Sequence, residues 1–299
     1  MPASVMTGVD GSAESLAAAE WAAREALRRG LPLRLVHAWD WHPRRGEGES
    51  DSAAQRYLAR RALRQAEDRV RAACPDVRLY DDQVEGAAIP ALLKLAEGAE
   101  LVVLGSRGLS GVAGFLVGSV AQGVAARSTG PVVLVRAGEE AADEQLPTAG
   151  DSAGTRTGYR DVVLALDLDA PCDAVIEFAF EAARLHGARL RVVHAWQTPT
   201  LGLGPGEIDL LNDPHRAEEW QVVLAGALRL WRDKYPGVEV VETVTKDRPQ
   251  TALIRAASGA SLLVVGRRIA ERPVGRRIGP VTHAVIHHVD CPVAVVPHD

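Results

Sequence analysis

The chain has 299 residues, of which 47% are hydrophobic and 24% charged, a composition typical of a globular protein with room for about two domains. Its net charge of −5 and isoelectric point near 6.0 exclude the general basic field that attracts nucleic acids. No apolar run approaches the roughly 18–20 residues that a membrane span needs, so we expect no membrane partner.

The cysteines predict a reducing compartment. Cys74, Cys172 and Cys291 are odd in number and far apart, which disfavours a disulfide framework or a zinc knuckle. The N-terminal segment MPASVMTGVDG shows no basic stretch followed by an apolar one, so a signal peptide is not expected. Together these features favour a cytoplasmic location.

The first half of the chain alternates between short apolar runs, typical of strands, and stretches with helical periodicity. The helix Ala13–Arg29 is the clearest, because Gly30 supplies a stop signal. A glycine loop after the fourth strand leads into a last helix. The predicted elements are strand Val5–Val9, helix Ala13–Arg29, strand Leu33–Ala38, helix Ala53–Ala73, strand Arg78–Gln83, helix Ile89–Glu97, strand Leu101–Leu104 and strand Val132–Val135.

The second half repeats the first. Asp10 and Trp39 recur as Asp167 and Trp196 at an offset of 157 residues, and Gly105 recurs as Gly266 at an offset of 161. The difference falls in the loop after the second strand, where insertions cost little. The predicted elements are strand Val162–Leu166, helix Asp173–His186, strand Arg189–Ala195, helix Ala217–Lys234, strand Glu239–Val244, helix Gln250–Ser258, strand Leu262–Val265 and strand Val293–Val296.

Strands that alternate with helices predict an α/β fold, with a doubly wound, five-stranded parallel sheet in each half. We call the two halves the first and second copy. Residues 137–157 are rich in Glu, Asp, Gly, Ser and Thr and lack periodicity, as linkers do. The expected organisation is a first domain at 1–137, a linker at 138–158 and a second domain at 159–299.

The loop after the fourth strand carries Gly105, Gly108, Gly118 and Ser119 in the spacing G-x2-G-x9-G-S. Glycine lets the main chain approach an anion closely or adopt a positive φ at little cost. Gly118 and Ser119 also open a helix, whose free N–H groups favour negative charge. The spacing predicts a phosphate cradle, and the alternative is a tight loop without a ligand.

Ligands of open parallel sheets bind beyond the carboxyl ends of the strands. Asp10 ends the first strand and Ala38 the second, so both should converge on the glycine loop. The Asp10 carboxylate can accept hydrogen bonds from an amine or hydroxyl, and the main chain of Ala38 can meet an adenine edge. Arg107 adds positive charge. No Gly-Lys-Ser/Thr follows, so the loop is not of the Walker A type.

In these residues the chain resembles the universal stress protein family, across both copies apart from the linker. The first copy matches that family's ATP-binding motif, G-x2-G-x9-G-S/T, without departure. The resemblance implies Rossmann-like domains of the adenine nucleotide α-hydrolase type, ATP with or without Mg²⁺, and a cytoplasmic, homodimer-forming stress-response protein with no settled reaction. The implied nucleotide-binding residues are Val9, Asp10, Ala38, Gly105, Arg107, Gly108, Gly118, Ser119 and Val120.

The second copy departs from the motif. Ile269 replaces Gly108, and a β-branched residue resists positive φ. Pro280 replaces Ser119 and supplies neither an N–H nor a hydroxyl. Arg276 and Arg277 could attract an anion by charge alone. We expect either a structural copy with solvated arginines or a weaker second nucleotide site. The residues of that weaker site would be Asp167, Ala195, Gly266, Arg268 and Gly279.

The leading functional prediction is an ATP-binding regulator with one competent site, whose protein partner the sequence does not identify. The alternatives are a slow ATPase or nucleotide-dependent hydrolase on the same fold and a ligand-free interaction scaffold. Fast phosphoryl transfer is disfavoured, because the loop has neither a phosphate-binding lysine nor an adjacent general base. No catalytic residue is therefore assigned.

Other polar groups are predicted to be structural. His37 and His194 should be structural residues, hydrogen-bonded at the ends of equivalent strands. His283 and His287 are four apart on a helix but have no evident third ligand, so no metal site is expected. Two arginine clusters should be solvated helix faces. These clusters are Arg24, Arg28 and Arg29, and Arg60, Arg61 and Arg64.

The last strand of each copy follows Gly130-Pro131 or Cys291-Pro292. An edge strand can pair with its counterpart across a two-fold axis. The sequence leaves open whether this pairing joins the two copies of one chain or two chains.

Overall fold

The computed structural model describes residues 3–39, 49–106, 118–138, 140–146, 158–197, 215–269 and 278–299, with side chains from residue 54 onward in the second of these ranges. Each copy folds as the predicted alternation of strands and helices, with boundaries that differ from prediction by up to four residues. The first copy comprises β1 Val5–Gly8, α1 Ala13–Arg29, β2 Leu33–Trp39, α2 Glu49–Ala73, β3 Leu79–Glu85, α3 Ala88–Ala96, β4 Leu101–Ser106, α4 Ser119–Ala125 and β5 Val132–Arg136.

The described elements of the second copy follow the same order. They are β6 Val162–Ala165, α5 Asp173–His186, β7 Leu190–Trp196, α6 Arg216–Lys234, β8 Val240–Lys246, α7 Pro249–Ala257, β9 Leu262–Arg268, α8 Pro280–His288 and β10 Val293–His298. Helix ends follow local signals. The Ser12 hydroxyl caps α1 by accepting a hydrogen bond from the Ser15 N–H at 3.2 Å. Gly30 and Gly187 end α1 and α5 with φ of 66° and 60°, in the left-handed region that favours glycine.

Each copy contributes five parallel strands, but the two sheets form a single ten-stranded sheet in the order β3-β2-β1-β4-β5-β10-β9-β6-β7-β8. The joint is the antiparallel pairing of β5 with β10, in which Val133 lies opposite Ala294. The strand-pairing question that the sequence left open is answered within one chain. The predicted five-stranded sheets are thereby joined edge to edge, and each face of the joined sheet carries a hydrophobic core cluster that runs through both copies.

Helices cover both faces of the sheet. One face packs against α1, α2, α5 and α6, and the other against α3, α4, α7 and α8. Successive residues of a strand serve opposite faces, as Leu101 and Val102 do. Because both faces are covered, the strands read as continuous apolar runs rather than alternating ones.

A buried ionic network joins the copies beside the β5–β10 joint. Glu25 of α1 accepts a hydrogen bond from His186 Nε2 of α5 at 2.9 Å and from Arg29 Nε at 2.8 Å. Arg24 Nε and Nη2 donate to Glu144 Oε1 at 3.0 and 2.7 Å, and Arg28 pairs with the same carboxylate. Glu144 lies in a 3-10 turn, Ala141–Glu144, within the segment predicted to be a linker. Part of that segment is therefore docked on α1.

The network corrects one prediction and confirms another. The side chains of Arg24, Arg28 and Arg29 are only 7–13% exposed, so the expectation of a solvated face was wrong. Their buried partner Glu144 comes from a polar segment without periodicity, which carried no packing signal. The other cluster is confirmed as exposed, at Arg60, Arg61 and Arg64.

The network also shifts the pKa values of Glu25 and Arg28. Burial by itself raises the pKa of Glu25, but the hydrogen bond and charge of His186, with Arg29 and Arg28, outweigh it and lower the pKa overall. Burial lowers the pKa of Arg28, but Glu144, Tyr159 and Glu25 together outweigh burial, so the net pKa is raised. Both groups are thereby held in their charged forms.

Candidate functional site

The carboxyl ends of β1, β2 and β4 lie at one edge of the sheet, together with the described residues among those predicted for the first copy. Gly8 lies level with Val36 of β2 and Leu104 of β4 in the parallel register. Asp10 and Ala38 each lie two residues further along, and Gly105 is one residue past Leu104. The helix α4 runs back from this edge to the start of β5, so Gly118, Ser119 and Val120 lie near it as well.

Asp10 organises the turn into α1. Its Oδ1 accepts hydrogen bonds from the Ser12 N–H at 2.9 Å and the Ser12 hydroxyl at 2.5 Å, and Ser12 in turn caps the helix. The second copy repeats the turn, since the Asp169 N–H donates to Asp167 Oδ1 at 3.1 Å. Both aspartates remain exposed at the edge of the sheet. Both aspartates therefore have a structural role in the turn before the first helix, which the sequence analysis did not predict.

The main chain of Ala38 points toward the space above β1. The Val9 N–H donates to the Val36 carbonyl at 2.8 Å, which shows that the polar groups of Val36 face β1. Main-chain groups alternate sides along a strand, so those of Ala38 face the same way, beyond the point where β1 has ended. They are directed at the space past the end of β1, on the side of Asp10. Val9 itself is buried, and its carbonyl contacts His37 Nδ1 at 2.7 Å.

The two strand-end histidines have the structural role that was predicted. His37 Nδ1 donates to the Val9 carbonyl, and His194 Nδ1 donates to the Leu166 carbonyl at 3.1 Å. A carbonyl is only an acceptor, so Nδ1 carries the proton in both rings. Each histidine fixes the chain at the point where the first strand of its copy ends.

Gly105 is required by packing. A Cβ at this position would lie 2.6–2.8 Å from the main chain of Glu14 and Ser15, in the first turn of α1. Neither Gly105 nor Gly118, whose φ is −58°, adopts a positive φ. The glycine at the end of β4 thus permits close approach of a helix. Of the remaining predicted residues, Ser119 begins α4, Val120 packs partly against the core, and Arg107 and Gly108 lie outside the described residues.

The second copy contains a cavity of about 740 Å³ at the equivalent edge. All the residues predicted for a weaker second site line this one space, whereas Arg276 and Arg277 lie outside the described residues. The size is within the range of small-molecule sites, roughly 300–1,000 Å³. The lining residues that were predicted are Asp167, Ala195, Gly266, Arg268 and Gly279.

The cavity lies where the second copy lacks a turn of helix. α5 has 14 residues and α1 has 17, although both end at equivalent glycines, so α5 begins three residues later in the repeat. Pro171 and Cys172 occupy the positions of Glu14 and Ser15. A Cβ at Gly266 would therefore meet no helix main chain, and its closest neighbour is the His298 side chain at 2.9 Å.

The start of α8 differs from the start of α4. Pro280 occupies the first position of α8, where it supplies no N–H. The Thr282 hydroxyl donates to the Gly266 carbonyl at 3.1 Å and ties the helix to the end of β9. Ile269 is 43% exposed, and its N–H donates to the His298 carbonyl at 2.6 Å. Around the positions of the glycine motif, the second copy therefore uses Thr282 and Ile269 for hydrogen bonds within the protein.

Sequence reasoning missed several residues of the cavity. Trp220 packs against His194 with ring centroids 4.7 Å apart, and at the repeat offset it replaces the buried Ala59 of the first copy. His298 replaces Ala137. Both substitutions are visible once the copies are aligned over their full length. The late start of α5, marked by Pro171, was visible too, but its consequence for the space beside it was not.

The described part of the chain contains neither a cluster of metal ligands nor a membrane-spanning helix. Within it no three His, Cys, Asp or Glu side chains form a group that could hold a metal ion. His283 and His287 pack with their ring centroids 4.5 Å apart. No helix in those residues is long and apolar enough to cross a membrane.

The fold defines a tandem α/β protein whose two copies share one doubly wound sheet. The family model of the universal stress protein family matches residues 1–136 and 158–297, so the chain belongs to that family. Among its relatives are the universal stress proteins Rv2005c and Rv2623 of Mycobacterium tuberculosis. Each is 30% identical over 97% of this chain, covering 96% and 95% of the respective relative.

A solved structure supports the fold over the whole length. The crystal structure of a universal stress protein from Archaeoglobus fulgidus superposes with a TM-score of 0.74 at 18% sequence identity, covering 99% of this chain and 98% of that one. At this identity the likeness concerns the fold alone. It confirms the class of doubly wound tandem α/β domains predicted from the sequence.

Proposed function

We propose that this chain is an ATP-binding regulator of the stress response that holds one nucleotide, with or without Mg²⁺, in its first copy. The observation that carries the proposal is the intact G-x2-G-x9-G-S motif in a copy whose Asp10 and Ala38 main chain face the same sheet edge. The nucleotide-binding residues in this proposal are Val9, Asp10, Ala38, Gly105, Arg107, Gly108, Gly118, Ser119 and Val120.

The roles follow from chemistry and position. Asp10 accepts hydrogen bonds from hydroxyl or amine groups, and the Ala38 main chain meets the adenine edge. Gly105, Gly108, Gly118, Ser119 and the Arg107 charge bind ribose and phosphates. The regulator acts from the cytoplasm through domains at 1–137 and 159–299 and a linker at 138–158. Its homodimer would use surfaces other than β5 and β10, which already pair with each other.

The first experiment identifies the nucleotide. The purified full chain is denatured, and any released compound is identified by chromatography and mass spectrometry. ATP is then titrated into the wild type and into the Asp10→Ala and Gly118→Ala variants. We expect about one ATP per chain in the wild type and weaker binding in both variants. No binding in any of the three proteins would favour the scaffold alternative and contradict the proposal.

A second measurement separates binding from catalysis. Phosphate release from ATP is followed over many turnovers in the wild type and the same variants. We expect the wild type to bind ATP without releasing phosphate over the time in which binding reaches equilibrium. Multiple-turnover hydrolysis that a substitution at Asp10 abolishes would favour the enzyme alternative.

A further inference from the structure

The cavity of the second copy has a different shape from the first-copy site. In the first copy, the opening turn of α1 packs its main chain on Gly105. In the second copy that turn is missing, and Asp169, Ala170 and Cys172 line the open space instead. The cavity therefore extends under the helix start into a volume that the first copy fills with protein.

The charges of the described cavity lining do not favour a polyphosphate. Two carboxylates, Asp167 and Asp169, oppose two guanidinium groups, Arg216 and Arg268, so the described lining has no net positive charge apart from its histidines. Pro280 removes an N–H from the helix start, and Ile269 occupies a glycine position of the motif. Among the described residues, a triphosphate would therefore meet neither an excess of positive charge nor the N–H that Pro280 lacks.

The walls of the cavity suit a flat ring with hydroxyl groups. Trp220, Trp196 and His194 supply aromatic surface, and Leu253 and Val265 supply aliphatic surface. His194 Nε2 and Trp196 Nε1 are buried and have no hydrogen-bond partner among the described residues. His194 Nδ1 already donates to the Leu166 carbonyl, so a ligand that reached the two orphaned atoms would satisfy one acceptor, Nε2 of the neutral His194 ring, and one donor, Nε1 of Trp196. The exposed carboxylates of Asp167 and Asp169 can accept hydrogen bonds from hydroxyls.

We propose that the second-copy cavity binds an uncharged ligand of the nucleoside class, a flat heteroaromatic ring bearing hydroxyl groups, and discriminates against nucleoside polyphosphates. The inference rests on the proposed function in one respect, since it assumes that both copies use the same sheet edge for the ring. The two copies then recognise different parts of related ligands. The first responds to the phosphates, and the second to the ring and its hydroxyls.

Cys172 makes occupancy of this cavity measurable. It lines the cavity and is half-buried, whereas Cys74 and Cys291 are buried. The full chain is treated with iodoacetamide, and modification of Cys172 is followed by peptide mass spectrometry at increasing adenosine or ATP. We expect adenosine to slow modification at a concentration at least about tenfold below that needed for ATP. Equal or better protection by ATP, or no protection by millimolar adenosine, would overturn the proposal.

Variants test the walls. Trp220→Ala should weaken protection by adenosine at least about tenfold, and Trp220→Phe, which keeps an aromatic ring, should largely retain it. Leu230→Ala is the matched control, because Leu230 is exposed on the same helix and absent from the cavity lining. Equal loss in Trp220→Ala and Leu230→Ala would contradict a role for the aromatic wall.

A gain of function completes the test. Ile269→Gly combined with Pro280→Ser restores the motif residues and should improve protection by ATP about tenfold or more, with little change for adenosine. An unchanged preference would contradict the assignment of selectivity to these positions. The protection assay reports only on Cys172 in the second copy, whereas ATP titration of the Asp10→Ala variant reports on the first copy. A failure of this proposal can therefore be distinguished from a failure of ATP binding in the first copy.

Discussion

The two copies differ in how their first helix packs against the glycine at the end of their fourth strand. In the first, Ser12 caps a helix whose opening turn lies against Gly105. In the second, the helix starts three residues later, Gly266 faces a histidine side chain, and a cavity of about 740 Å³ remains. The comparison teaches that the glycine after the fourth strand has a packing role that is separable from the phosphate motif that follows it.

The copies also differ in what they bring to their joint. α1 supplies all the arginines of the buried network, whereas the positions in α5 that correspond to Arg24 and Arg28 are Glu181 and Leu185. The network is therefore asymmetric and depends on Glu144 from the connecting segment. We expect its removal to have the largest effect on stability.

Glu144→Ala should lower the free energy of unfolding by about 3–5 kcal/mol, because it leaves two arginines buried without their carboxylate. Chemical denaturation measures the loss. Glu181→Ala is the control from the second copy, since Glu181 pairs with Arg184 near the surface and its removal should cost less than about 1 kcal/mol. Similar losses in both variants would show that the docked turn contributes no more than a surface pair.

Gly105→Ala should be the next most damaging change, at about 1–3 kcal/mol, because its Cβ meets helix main chain that cannot move aside. Gly266→Ala should cost less, because only the end of the His298 side chain has to shift. Denaturation midpoints of the two variants compare the copies directly. A larger loss for Gly266→Ala would contradict the packing difference.

Asp10→Ala should weaken ATP binding about tenfold or more, the effect of losing a hydrogen bond to a charged group. Asp167→Ala, at the equivalent position of the second copy, should leave ATP affinity within about twofold of the wild type. Isothermal titration calorimetry measures both. Equal weakening by the two substitutions would mean that ATP uses both copies.

The smallest effect concerns pH. The folded pKa of Glu25 is lower than its ordinary value of 4.5, so its contribution to stability is full above about pH 4.5 and is lost as the pH falls below it. The slope from one such group is at most about 1.4 kcal/mol per pH unit. Glu25→Gln should flatten this part of the stability profile, as measured by denaturation at a series of acidic pH values. An identical slope in the wild type and the variant would contradict the direction of the shift.

Local signals were enough to predict most of the fold. Gly30 and Gly187 fixed the ends of α1 and α5, and the repeat of Asp10 as Asp167 identified two copies of one topology. The burial of Arg24 and Arg28 was missed, since charge patterning describes one helix and Glu144 arrives from a polar segment distant in sequence. The sequence placed five cavity residues in a weaker second site, but it missed the space beside the start of α5, because that space follows from an absent helical turn and an alignment of motif residues does not show lost volume. The residues assigned to ATP in the first copy remain a prediction.

The pairing of β5 with β10 inside one chain has an evolutionary consequence. In a dimer of identical subunits, symmetry copies every substitution into both sites, so a change that weakens one site weakens the other as well. A chain that carries both partners is free of this constraint, and its effective concentration of partner does not fall on dilution. Pro280 could therefore arise on one side of the joint while Ser119 was kept on the other, and the two sites could specialise without losing their shared sheet.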